Sequence, residues 1–143
     1  MSRDLHHNIK IAQGLAPASL GATAGGGQTS KAIDRQGFEA LEFDINVGTI
    51  TATNATLTGK VLEGDATGAM ATAAAASVLG SLNLITATSA RASGVSKNVT
   101  KRVGYIGTKR YAQFKAIPTA TGAMIVSVTG ILGSPKSMPV AEQ

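Results

Sequence analysis

At 143 residues the chain is long enough for one domain with a modest core, but its 43% hydrophobic content is largely alanine and only 3% of residues are aromatic, so large core-filling side chains are scarce. The absence of cysteine excludes disulfides, thiolate metal sites and a cysteine nucleophile. The net charge of +5 is unevenly spread: residues 66–141 carry eight basic residues and no acid, while the rest carries five basic residues and all eight acids.

That asymmetry points to a partner that is acidic, either a protein surface or nucleic acid. A buried methylene contributes only about 0.8 kcal/mol, so an alanine- and glycine-rich chain gains little per residue from its own core. Oligomerisation or docking is expected to supplement its stability. No window approaches the roughly 18 uncharged apolar residues of a membrane span, and Met1 to Asn8 is charged and polar where a signal peptide is apolar.

In chain order, residues 1–32 show no sustained period. Leu5, Ile9, Ile11 and Leu15 are separated by polar residues, and Pro17 and the glycine-rich run 21–27 follow. This segment reads as an extended N-terminal arm, with a short helix over 5–15 as the alternative. Leu41, Phe43, Ile45 and Val47 then alternate with Glu42, Asp44 and Asn46, which predicts a strand that begins or bulges at Gly37-Phe38. Residues 57–63 predict a second strand, expected to pair antiparallel with the first, before the turn Glu63-Gly64-Asp65. The alanine-rich stretch 70–78 is too short for a stable isolated helix and reads as a loop or one to two helical turns.

Residues 81–88 predict a third strand and 91–101 a basic loop. Residues 110–117 and 123–132 predict strands joined as a hairpin through Pro118 to Gly122, with Gly133-Ser134-Pro135 as the stop. Short strands with frequent turn signals give an all-β class, a small β-sandwich or barrel with an extended N-terminal arm. The expected division is arm 1–32, β domain 33–135 and C-terminal tail 136–143.

Candidate chemistry is sparse. Neighbours on an extended chain point to opposite sides, so His6 and His7 read as exposed residues and not as metal ligands. Glu42 and Asp44 share a strand face, as the solvated face of a half-buried strand does, and Glu39, Glu63 and Asp65 complete the nearby carboxylates. No nucleophile and base can be assembled locally. Gly25-Gly26-Gly27 and Gly104-Tyr105-Ile106-Gly107 lack the strand, glycine turn and helix context of a phosphate loop. Arg91, Lys97, Lys101, Arg102, Lys109 and Arg110 could meet phosphates, with Tyr105 or Tyr111 stacking on bases. Among binding roles, docking of that basic face on an acidic protein is the preferred expectation, and a merely solvated face is the alternative.

The order Asp4-Leu5-X-X-Asn8-Ile9, Asp34-X-X-Gly37-Phe38-X-X-Leu41-X-Phe43, the acidic turn 63–65, Val103-Gly104-Tyr105-Ile106-Gly107-X-Lys109-Arg110-Tyr111 and Leu132-Gly133-X-Pro135 resembles small tailed-bacteriophage proteins encoded among the head genes. The similarity covers most of the chain, and the middle departs from it where the alanine-rich stretch replaces a polar and aromatic loop. The resemblance implies a structural virion protein and no enzyme: a decoration or cement protein on the outer surface of the major capsid protein lattice, acting as a homo-oligomer, a trimer or a dimer. Such a protein is made in the bacterial host cytoplasm and ends in the virion. No cofactor and no metal are expected, and membrane and nucleic acid are not expected partners. The contact residues expected are Leu5, Ile9 and Ile11 on the arm and Lys101, Arg102, Lys109 and Arg110 in the basic half. A tail or head-to-tail connector component is the alternative within the virion, and a nucleic-acid-binding protein the alternative outside it.

Overall fold

Every second side chain of the 41–47 run is buried, and the polar residues between them face outward, as period-two alternation requires of a strand with one wet face. The computed structural model describes residues 4–20, 27–50, 55–86, 96–118 and 124–137. A 3₁₀ turn (His6–Asn8) leads into β1 (Lys10–Leu20), then β2 (Gln28–Thr29), β3 (Ile33–Asp34), β4 (Phe38–Ile50), β5 (Leu57–Gly64) and β6 (Ala71–Thr72). A second 3₁₀ turn (Ala75–Ser77) precedes β7 (Val78–Leu79), β8 (Asn83–Ile85), β9 (Ser96–Tyr105), β10 (Tyr111–Pro118) and β11 (Met124–Pro135).

These strands form two antiparallel sheets that do not close into a barrel. The first runs β1-β11-β4-β9-β7; in the second, β10 lies between β5 and the short β2 and β3, and β6 and β8 pair with β5. The sandwich expected from the sequence is therefore the observed architecture. Phe43, Ile45, Val103, Val126 and Val128 of the first sheet face Leu57, Val61, Phe114 and Ala116 of the second, all essentially excluded from solvent. The rings of Phe43 and Phe114 meet across the interior with centroids 5.6 Å apart. Room for Phe114 comes from Gly59, where a side-chain carbon would overlap its ring.

The segment expected as an arm is largely a strand. Lys10–Leu20 forms the edge of the first sheet against β11, with register shifts between Gln13 and Leu15 and between Leu15 and Ala18. Those shifts place Ala12, Leu15, Ala18 and Leu20 opposite the inward residues of β11, a spacing of three, three and two that hides the alternation from a period-two search. Residues 30–31 then tie the two sheets together: Lys31 N–H donates to the Gly14 carbonyl at 2.8 Å and Ser30 N–H to the Phe114 carbonyl at 2.8 Å. The helix considered over 5–15 is confined to the single 3₁₀ turn.

Two pairing expectations are corrected in the same way. β4 pairs with β11 and β9, not with β5. β10 and β11 are not a hairpin, since β10 pairs with β5 in the second sheet and β11 lies between β1 and β4 in the first. Both partners in each expected pair bury one face, so alternation alone could not tell a neighbour in the same sheet from one stacked opposite. The basic loop expected over 91–101 is strand β9 from Ser96 onward, and its earlier part lies outside the described residues. β11 also continues through the expected stop, pairing Gly133 with Ala40 and Pro135 with Phe38. The third strand is present as β8, and the alanine-rich stretch is a short strand and a 3₁₀ turn.

Candidate functional site

The segment 106–110 connects the end of β9 in the first sheet with the start of β10 in the second, and one arginine organises it. Arg35 is only 8% exposed. Its guanidinium donates to the carbonyls of Gly107 at 2.7 Å, Lys109 at 2.9 Å and Glu39 at 2.7 Å. It also lies over the Tyr105 ring, 4.7 Å from the centroid. The planar fork holds the three carbonyls through two nitrogens set in fixed directions, which an ammonium, with all its donors on one nitrogen, does not reproduce. The sequence gives no sign of this role, because Arg35 sits between Asp34 and Gln36 as any surface arginine does.

Around this anchor the acidic and basic halves of the sequence meet. Arg110 binds the Asp34 carboxylate in a two-pronged contact at 3.0 and 2.7 Å, and Lys109 Nζ reaches Asp65 at 2.6 Å. The Arg110 contact holds the Asp34 carboxyl below its usual range, and Asp65 raises the Lys109 ammonium. The Tyr105 hydroxyl donates to the Glu63 carboxylate and accepts from the Lys109 N–H at 3.3 Å. Arg35, Asp65, Lys109 and Arg110 border an open cleft of about 570 Å³ that also includes Glu39 and Lys136. The charge asymmetry along the chain is thus partly cancelled inside the fold.

Burial, reinforced by the hydrogen bond to Glu63, pushes the Tyr105 hydroxyl up to about 12. The folded protein therefore keeps this proton where an unfolded tyrosine, near 10.0, loses it. The contribution is whole below pH 10 and is lost as pH rises toward 12. We expect the urea midpoint to fall between pH 8 and pH 11, with Tyr105 responsible for roughly 1 kcal/mol of the loss. Tyr105→Phe should cost about 1–2 kcal/mol at pH 8, by leaving Glu63 without its donor, and should have a shallower alkaline slope. An identical slope in the variant would remove Tyr105 from this role.

The seven residues expected to make contacts do not form one surface. Leu5 is exposed at the 3₁₀ turn, Ile9 is half-buried, and Ile11 is exposed on the outer face of β1. Lys101 and Arg102 are exposed on opposite faces of β9, with Lys101 in register with the inward Ile45 and Arg102 with the outward Asp44. Lys109 and Arg110 are at the cleft, each already held by a carboxylate. Of the two tyrosines considered for base stacking, Tyr105 is buried and Tyr111 has the Arg110 guanidinium over its ring, 4.9 Å from the centroid.

Four of the five candidate acids are also occupied. Glu42 lies 3.8 Å from Arg102, Asp44 accepts from the Asn46 amide at 2.8 Å, and Glu63 and Asp65 have the partners described above. His7 contacts the Asp4 carboxylate in an exposed pair at the 3₁₀ turn. Among the described residues, no three histidines or carboxylates cluster in a way that could hold a metal ion. No helix among them is long and apolar enough to cross a membrane.

No protein-family model matches the sequence, and no curated protein matches it. Among solved structures, the chain is similar to the PBSX exported protein XepA, at 16% identity and a TM-score of 0.51, over 94% of this chain and 39% of that one. A weaker likeness, with a TM-score of 0.40 and 11% identity, covers 96% of this chain and 89% of the CBM22-1 xylan-binding domain of Paenibacillus barcinonensis Xyn10C. This chain thus spans well under half the length of XepA, and what the two share is the two-sheet β fold.

Proposed function

We propose that the chain is a structural protein of a tailed-bacteriophage virion, a decoration or cement protein that binds the outer surface of the major capsid lattice and stabilises the head. The observation that carries this reading is the coincidence of two independent likenesses. The sequence resembles small head-gene proteins from Asp4 to Pro135, and the fold resembles an exported protein of the phage-related element PBSX over 94% of the chain. The occupied carboxylates support a binding role over acid–base catalysis. The internal ion pairs of Lys109 and Arg110, together with the burial of Tyr105 and the guanidinium over Tyr111, favour a protein partner over nucleic acid.

In this role the exposed Leu5 supplies apolar contact and Lys101 supplies charge, since Lys101 has no ion-pair partner among the described residues. Many such weak contacts repeated over a lattice act together. The test is binding of the purified protein to heads that lack it. We expect saturable binding, a higher rupture temperature, and roughly tenfold weaker binding for Lys101→Glu at moderate salt. Salt-sensitive DNA binding without head binding would overturn the proposal, and binding confined to isolated tails or connectors would move the protein to the neck or tail.

A further inference from the structure

The outer face of the first sheet carries an apolar surface that none of the roles above uses. The strand registers align Ile11 of β1 with Ile131 of β11, Ile131 with Glu42 of β4, Glu42 with Gly104 of β9, and Gly104 with Leu79 of β7. One row therefore crosses all five strands, with large apolar side chains at its ends and a carboxylate at its centre. Ile11 is 55% exposed and Leu79 52%. Ile106, 54% exposed, adds to the Leu79 end, and its N–H is fixed at 2.9 Å to the carbonyl of Ser77, just before β7.

Gly104 keeps the middle of the row low. A side-chain carbon there would come within 2.9 Å of a Glu42 carboxylate oxygen and 3.1 Å of Leu79. The result is a shallow depression of about 230 Å³ bordered by Leu79, Ile106 and Ile131. Three of the five most exposed large apolar residues among those described therefore lie on this row or beside its depression. Contiguous apolar exposure of this kind marks an interaction surface, whereas scattered single residues would not.

The charges on the surface identify the occupant. Glu42 is accompanied by Arg102, whose side chain is 84% exposed and whose Nε lies 3.8 Å away, at the outer limit of an ion pair. Asp44, in register with Arg102, adds a second carboxylate to the same face, so the surface is apolar along its row and carries both signs of charge beside it, a pattern complementary to itself. About a two-fold axis, Glu42 of each copy meets Arg102 of the other while the isoleucine and leucine ends pack together. We propose that this face is a two-fold interface with a second copy of the chain. Ile11 and Arg102, expected from the sequence to contact a capsid, then face the second copy, which leaves the exposed Leu5 and Lys101 for the capsid.

The test is sedimentation of the full chain at roughly 100 µM, well above the micromolar or tighter dissociation constants typical of standard-sized interfaces. We expect twice the 14.4 kDa chain mass for the unmodified protein. Glu42→Arg sets arginine against Arg102 across the axis and Arg102→Glu sets glutamate against Glu42, so each alone should weaken the dimer by roughly 100-fold. Mixed in equal amounts, the two variants should restore the dimer, because each arginine then meets a glutamate across the axis. A structural role for either residue within its own chain gives no rescue on mixing. Ile106→Glu, at an exposed position, should also give a monomer, and thermal melts close to that of the unmodified protein establish that each variant is folded.

A monomer, a trimer or a larger ring for the unmodified chain overturns the proposal, as does a dimer that survives all three substitutions or single variants that fail to associate when mixed. If the unmodified chain is a monomer and Ile106→Glu abolishes head binding, the face belongs to the capsid. The head-binding assay with Lys101→Glu is read separately, so either proposal can fail alone.

Discussion

Phe114→Ala is expected to lower stability by roughly 3–5 kcal/mol, measured as a shift of the urea midpoint at constant slope. The ring is fully excluded from solvent, meets Phe43 across the interior and rests on the bare backbone of Gly59. Its removal opens a cavity between two sheets that are each tied by their own strand pairing and cannot readily move together. Phe114→Leu, which refills most of that volume, should cost about 1–2 kcal/mol. If alanine costs under about 1 kcal/mol, the two sheets are not held by this contact and the packing described here is wrong.

Arg35→Met is expected to cost about 2–4 kcal/mol, because the carbonyls of Gly107, Lys109 and Glu39 lose their donor together. Arg35 Nε has no hydrogen-bond partner, which sets part of that gain against a desolvation cost and keeps the figure below that of a fully satisfied buried cation. Arg35→Lys should recover little, since an ammonium on a flexible stem has its donors on one nitrogen and the three carbonyls are shared between two guanidinium nitrogens. Hydrogen exchange provides the local measurement: amides of residues 106–110 should lose protection in both variants before the rest of the first sheet does. Unchanged protection there would show that the segment is held by its own turns and not by Arg35.

The two predictions fall on residues that differ in how far the sequence revealed them. Phe114 was visible as the anchor of an alternating run, and so was β4, because a strand with one wet face leaves its pattern in consecutive residues. β1 was hidden by its two bulges, and the partners of β4 and β10 were hidden because stacking and pairing bury the same side chains. The basic residues 109 and 110 were legible as charge but not as ion pairs, since Asp34 and Asp65 come from distant parts of the chain. Arg35 left no signal at all. Its function is to hold backbone carbonyls, and carbonyls are common to every residue. The apolar row on the first sheet was invisible for a related reason: its members are single residues on separate strands, aligned only by register.

The position of β11 between β1 and β4 has a consequence for how the protein is made. During synthesis the first sheet lacks the strand that joins β1 to β4 until residues 124–135 have left the ribosome, so β1 and β4, complete much earlier, have no partner linking them. Phe43 and Ile45 face the second sheet, whose long strand β10 is also made late, so their cover too is completed only near the end. Pairing must then join segments separated by most of the sequence, the kind of topology that folds slowly because distant loops close before any contact rewards them. The scarcity of aromatic and large aliphatic residues over the rest of the chain acquires a kinetic meaning in that light. A nascent chain that must wait for its last long strand is safer when little of what it exposes is sticky.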